Sequence, residues 1–132
     1  MQRFFASLKD APRGHVVCAN HASYPIIGVG EIELTTTNGG VVILKNVLYV
    51  PGIKKNLISV PLIAKAGLHV HFVDDKCMVH GFNNGDVIVM SGTLCNGLYC
   101  LDTYKRAALN AFKRSILRPW LKWSFGMLVL VT

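Results

Sequence analysis

The chain has 132 residues, about half of them apolar, and a formal charge of +7. That length suits one domain with a real core, and the apolar content excludes a chain disordered by composition. The charge excludes a body that is basic throughout: residues 1–102 hold eight Lys/Arg against seven Asp/Glu, whereas residues 103–132 hold six Lys/Arg and no acid.

The N-terminal stretch MQRFFASLKDAPRG lacks the apolar core of a secretory signal. This predicts an intracellular, cytoplasmic chain in which Cys18, Cys77, Cys95 and Cys100 are free, partly buried thiols. From His15 onward the chain reads as short strands punctuated by turns. His15 to Cys18 opens the series. Ile32 and Leu34 alternate with Glu31 and Glu33, the period of a half-buried strand. Asn38-Gly39 supplies the positive φ angles of a tight hairpin. Val41 to Leu44 and Val47 to Val50 follow as two strands, and Pro51-Gly52 ends that segment. Ser59 is placed to cap a two-turn helix over Val60 to Ala66, with Pro61 in its first turn and Gly67 at its left-handed end. Leu68, Val70 and Phe72 then return as a strand facing the core, with His69 and His71 on the other face. Asp74-Asp75 turns into Cys77 to His80, Asn83-Asn84-Gly85-Asp86 into Val87 to Met90, and Asn96-Gly97 into Leu98 to Leu101. Short strands at such spacing predict an all-β barrel or sandwich. Beyond Asp102, the apolar spacing of Ala108, Leu109, Phe112 and Ile116 predicts a basic helix over Tyr104 to Arg118. Pro119 closes it. The final apolar run, Trp123 to Thr132, falls far short of the roughly 20 residues that span a bilayer.

Three stretches carry most of a resemblance. Leu44-Lys-Asn-Val-Leu-Tyr-Val-Pro51 is followed by Lys55-Asn-Leu-Ile-Ser-Val60, and Ile26-Ile-Gly-Val-Gly-Glu-Ile-Glu-Leu34 precedes both in order. With Val17 to His21, Gly67, Val70, Phe72, Cys77 and Leu98 to Leu101, they resemble the protease-region β-barrel of copia-type LTR retrotransposon Pol polyproteins over about residues 4–103. The resemblance implies a mainly β fold: a retropepsin-like antiparallel β-barrel with one short internal helix, here followed by the basic C-terminal helix. It divides the chain into an N-terminal remnant (1–14), the barrel (15–102) and a basic helix with an apolar tail (103–132). It implies a homodimer through the barrel, and polyprotein segments as the parent element's own partners.

The departures from the family carry as much weight. Its aspartic proteases hold the catalytic aspartate in an Asp-Ser/Thr-Gly loop. The resemblance places that segment ahead of this chain, which then reads as truncated. The aspartates present are Asp10, Asp74, Asp75, Asp86 and Asp102, and none opens such a tripeptide. Asp102-Thr103-Tyr104 comes closest, with tyrosine in place of glycine. Two carboxylates sharing a proton around one water are what this chemistry needs. The expectation is therefore an inactive peptidase fold with no catalytic, cofactor-binding or metal residues and no cofactor. His21 also stands where the family has a turn glycine, which predicts strain there.

Other constellations have simpler readings beside the functional ones. His69, His71 and His80 would share a strand face if Asp74-Asp75 closes a tight hairpin. Three imidazoles can bind zinc, but a polar exposed strand face explains them as well. Cys95 and Cys100 bracket a turn and would be a disulfide if oxidised; free thiols are the intracellular default. Gly28-Val29-Gly30 lacks the strand-to-helix setting of a phosphate loop and reads instead as a bulge or a close strand approach. The basic helix invites nucleic acid or an anionic membrane surface, or is simply solvated. The rival to a polyprotein fragment is a non-enzymatic binding module that uses this helix, or a pseudogene product.

Overall fold

The computed structural model describes residues 5–11, 13–37, 40–53, 55–81, 87–103, 122–126 and 129–131. They are mainly β, with twelve strands and one short helix. In chain order these are β1 (Phe5–Asp10), β2 (His15–Val17), β3 (Ser23–Pro25), β4 (Gly28–Thr35), β5 (Val41–Tyr49), β6 (Leu57–Ile58), α1 (Val60–Lys65), β7 (His69–Val73), β8 (Lys76–Gly81), β9 (Val87–Cys95), β10 (Leu98–Leu101), β11 (Lys122–Gly126) and β12 (Val129–Val131). One sheet runs β1-β4-β5-β12-β6, with β11 also on β5. A second, wholly antiparallel sheet runs β10-β9-β8-β7, and β2 and β3 form a ribbon of their own. Residues 5–10, 122–126 and 129–131, which the sequence places in a remnant and a tail, thus form strands of the first sheet. β11 and β12 lie parallel to β5. The expected basic helix over Tyr104 to Arg118 lies outside the described residues, as do the Asn38-Gly39 and Asn83 to Asp86 turns.

Both sheets and the helix contribute to one core. Ile32, Val42, Leu44 and Val47 come from β4 and β5, Ile63 from α1, and Val79, Val89 and Met90 from β8 and β9, with Leu68 at the entry to β7. Alternation explains most of this. Cys77 and Val79 turn inward from β8 while Lys76 and Met78 turn outward. Phe72 keeps the inward parity but sits beyond the covered part of the sheet, 52% exposed and tilted against Tyr99 at 5.0 Å.

The two expected strands Val41 to Leu44 and Val47 to Val50 are one strand, β5, bent in the middle. Gly30 pairs with Val47 and Ile32 with Leu44, so Glu31 faces both Lys45 and Asn46. The extra residue makes a bulge. Asn46 adopts φ 55 there, a conformation asparagine tolerates better than most residues. The bulge breaks the hydrophobic alternation, so one strand looks like two in sequence.

The helix begins and ends where expected. Ser59 is extended, Pro61 lies in the first turn, and Gly67 takes φ 81 just past the end. The Ser59 side chain makes no capping hydrogen bond; its carbonyl accepts from the Ile63 N–H at 3.2 Å. Asn96 and Gly97 take φ 50 and 80 between the paired Cys95 and Leu98, the two-residue hairpin that Asn-Gly favours. His21 takes φ 64 in the β2–β3 turn, a left-handed position that costs a residue with a Cβ. The strain expected of this histidine is therefore present in the backbone.

Candidate functional site

The outward face of the second sheet carries the polar constellation. Register places Lys76 beside Thr93 and Met78 beside Ser91, all on that face. Asp102 follows β10 and extends the ladder by one bond, its N–H donating to the Ser91 carbonyl at 2.9 Å. Its carboxylate accepts from Ser91 Oγ at 3.2 Å and from Thr93 Oγ1 at 3.3 Å. Thr93 Oγ1 in turn accepts from Lys76 Nζ at 2.8 Å. An ammonium, a hydroxyl and a carboxylate thus form one relay across three strands. The isolated bridge between Thr36 and Thr103 brings the end of β4 alongside. Between them lies a cleft of about 310 Å³, lined by residues that include Thr36, Thr37, Lys76, Met78, Ser91 and Asp102.

This cleft can take hydrogen-bonding groups, but it does not assemble paired-carboxylate chemistry. Asp102 is the one acid along it among the described residues. Asp10 ends β1, and Asp74 and Asp75 make the β7–β8 turn. Asp86 lies outside the described residues. The sequence singled out Asp102 only as an imperfect tripeptide and missed Lys76, Ser91 and Thr93. Ser91 and Thr93 do stand two apart, the spacing of one strand face, but their meeting with Asp102 and Lys76 depends on cross-strand register.

Cys77 lies under this face, 5% exposed. Burial pushes its thiol pKa above the ordinary 9.0, and the nearby Asp102 carboxylate pushes in the same direction. The folded chain therefore holds the proton that the unfolded chain would release. The resulting stability is intact below pH 9.0 and is lost as the pH rises through the raised folded value. Cys95 and Cys100 are exposed free thiols, and Cys18 is half-buried. Under timed alkylation of the native chain read by mass spectrometry, Cys77 is expected to react last, because the thiolate is the nucleophile. Labelling of Cys77 as fast as Cys95 would contradict this burial.

The other constellations are placed as follows. Cys95 pairs with Leu98 and Cys100 with Thr93, so the two thiols stand two positions out of register. Gly28 and Gly30 lie where β1 crosses β4 with register shifts in both pairings, a bulge and a close approach together. His80 is directly opposite His69, as a tight Asp74-Asp75 hairpin requires. The His71 and His80 rings meet edge to face with centroids 5.0 Å apart. Among the described residues, no three His, Cys, Asp or Glu side chains stand close enough, as placed, to enclose a metal ion. Among them, too, no helix is long and apolar enough to cross a membrane.

The family model of the Pol polyprotein β-barrel domain matches residues 1–68, more than half of the 132 residues. The chain belongs to this family. The matched part holds β1 to β6 and α1. It therefore supplies β4, β5 and α1, and with them about half of the shared core. The second sheet, with Lys76, Ser91, Thr93, Asp102 and the histidine face, follows the matched part. A search of curated proteins and a search of solved structures each returned no match to the chain.

Proposed function

We propose that the chain is a segment of a copia-type retrotransposon Pol polyprotein, folded as a retropepsin-like barrel and without peptidase activity of its own. The family match over residues 1–68 supports a Pol polyprotein segment. The Leu44 to Pro51 and Lys55 to Val60 motifs, by their resemblance, support the copia type. The observation that carries the lack of activity is in the residues themselves: no Asp-Ser/Thr-Gly occurs among the 132. The geometry of Asp102 supports it further. Two hydroxyls occupy that carboxylate, where peptidase chemistry requires a second acid sharing its proton.

The test is incubation of the purified chain with a peptide of polyprotein-like apolar sequence at acid and neutral pH. The expected result is no cleavage beyond that of the Asp102→Asn variant. Pepstatin-sensitive cleavage lost in that variant would overturn the reading and make Asp102 a catalytic residue.

A second reading is a non-enzymatic binding module, supported by the six Lys/Arg and no acid in residues 103–132. It predicts RNA or DNA binding that weakens steeply with salt. Replacing Lys105, Arg106, Lys113 and Arg114 by glutamine would abolish such binding.

A further inference from the structure

We propose that the open edge of β7 joins two copies of this chain, with β7 pairing antiparallel to its own mate about a two-fold axis at His71. Among the described residues β7 has a neighbouring strand on one side only, β8. The direction of its backbone groups follows from the ladder. The Asp75 carbonyl faces β9, where it accepts from the Leu94 N–H at 2.7 Å. Backbone groups alternate sides along a strand, so those of Lys76 face β7 and those of its partner Val73 face β8. The same alternation turns His71 and His69 toward β8. The N–H and C=O groups of Val70 and Phe72 therefore point away from the sheet, and no backbone group meets them there among the described residues.

The other sheet edges are protected and this one is not. An open edge invites pairing with another chain, and charge, irregularity or shortness blunts it. β1 carries Lys9 and Asp10 and a register shift between Phe5 and Ser7. β6 has only two residues. β10 runs on to Thr103, which Thr36 bridges from the first sheet. β7 pairs with β8 without a shift and holds no proline or lysine, and its Phe72 and Val73 are each more than half exposed.

A second copy is the occupant that this edge specifies. Centring the pairing on His71 sets Val70 opposite Phe72 of the other copy, and Phe72 opposite its Val70. Each such pair exchanges both backbone hydrogen bonds, so every outward group of Val70 and Phe72 is satisfied. The two side chains share one face of β7, and an aromatic beside a β-branched residue is a favourable cross-strand pair. The Phe72 ring, uncovered at the end of the second sheet, gains its cover in this way. Charge fits as well. The same register brings the exposed turn Asp74-Asp75 of each copy to the entry of the other's β7, where Lys65 stands exposed at the end of α1. The two-fold axis forms this acid-to-base contact twice. The pairing does not depend on the retropepsin-like reading of the barrel.

The test is sedimentation velocity of the full chain from micromolar to near-millimolar concentration, the range suited to a short interface. The expected result is a reversible monomer–dimer equilibrium with no larger species, because a two-fold pairing closes on itself. Phe72→Lys places a charge on the edge and should abolish the dimer across that range. Lys65→Glu, outside the strand, should weaken it severalfold at low salt. Amide exchange of the parent chain needs no variant: the Val70 and Phe72 N–H groups should exchange more slowly at high concentration than at low, and the β1 amides equally at both. The proposal is overturned if the chain stays monomeric, if it grows beyond a dimer, if either variant dimerises as tightly as the parent, or if the Val70 and Phe72 amides gain no protection. A dimer untouched by Phe72→Lys would belong to another surface, such as the barrel pairing that the family resemblance implies.

Discussion

Gly30→Ala is expected to lower stability by about 3 kcal/mol, near the upper end of overpacking losses. A Cβ built on Gly30 lands on the Ser7 carbonyl oxygen, and it also comes within 2.9 Å of Phe5 Cδ1 and the Ser7 carbonyl carbon. The obstacle is backbone, so no rotamer change relieves it. β1 must move off β4, and the edge-to-face contact of Phe5 with Tyr49 at 5.8 Å goes with it. Urea denaturation read by tryptophan fluorescence and circular dichroism measures this as a fall in midpoint. If β1 detaches from the native state, the slope falls too, because less surface is left to expose on unfolding. An unchanged midpoint would mean that β1 does not pack on β4.

The second large effect is expected from Leu44→Ala, also about 3 kcal/mol. Leu44 is 2% exposed and packs in the core that both sheets share. Truncation removes the buried methyl groups and leaves a cavity that neighbours in a close-packed core fill only in part. Leu57→Ala deletes the same atoms from a residue 43% exposed and is expected to cost less than about 1 kcal/mol. The difference in urea midpoint between the two variants is the measurement. Equal losses would show that the two sheets do not share a core around Leu44.

Much of the fold was legible because the signals are local. Asn96-Gly97 named its own hairpin, since few residue pairs accept two positive φ angles in succession. Pro61 and Gly67 bounded the helix for equally local reasons. The Asp74-Asp75 turn set the β7–β8 register, and His80 fell opposite His69 as that register demands. Where the reading erred, a non-local contact was responsible. The bulge at Asn46 exists only because Glu31 of β4 faces two residues of β5, so one strand looked like two. Phe72 has the parity of a core residue but lies past the part of the sheet that is covered.

The candidate cleft shows the same division. Asp102 attracted notice for the tripeptide it almost opens. Its actual partners, Ser91, Thr93 and through them Lys76, come from two other strands, and no spacing along the chain announces them. The family motifs, by contrast, lie in continuous stretches of β4 and β5 and in the segment leading into α1, where a one-dimensional reading sees everything there is.

The sequence by itself determined the Asp74-Asp75 and Asn96-Gly97 turns, the helix limits, the mainly β character, the Pol polyprotein kinship and the absence of an Asp-Ser/Thr-Gly tripeptide, because each is written in neighbouring residues. Only the tertiary structure decided which strands pair, that residues 5–10, 122–126 and 129–131 join the first sheet, and which side chains Asp102 and His80 meet. Strand pairing joins residues far apart in the chain, and a shift of one residue would turn every one of those side chains to the opposite face.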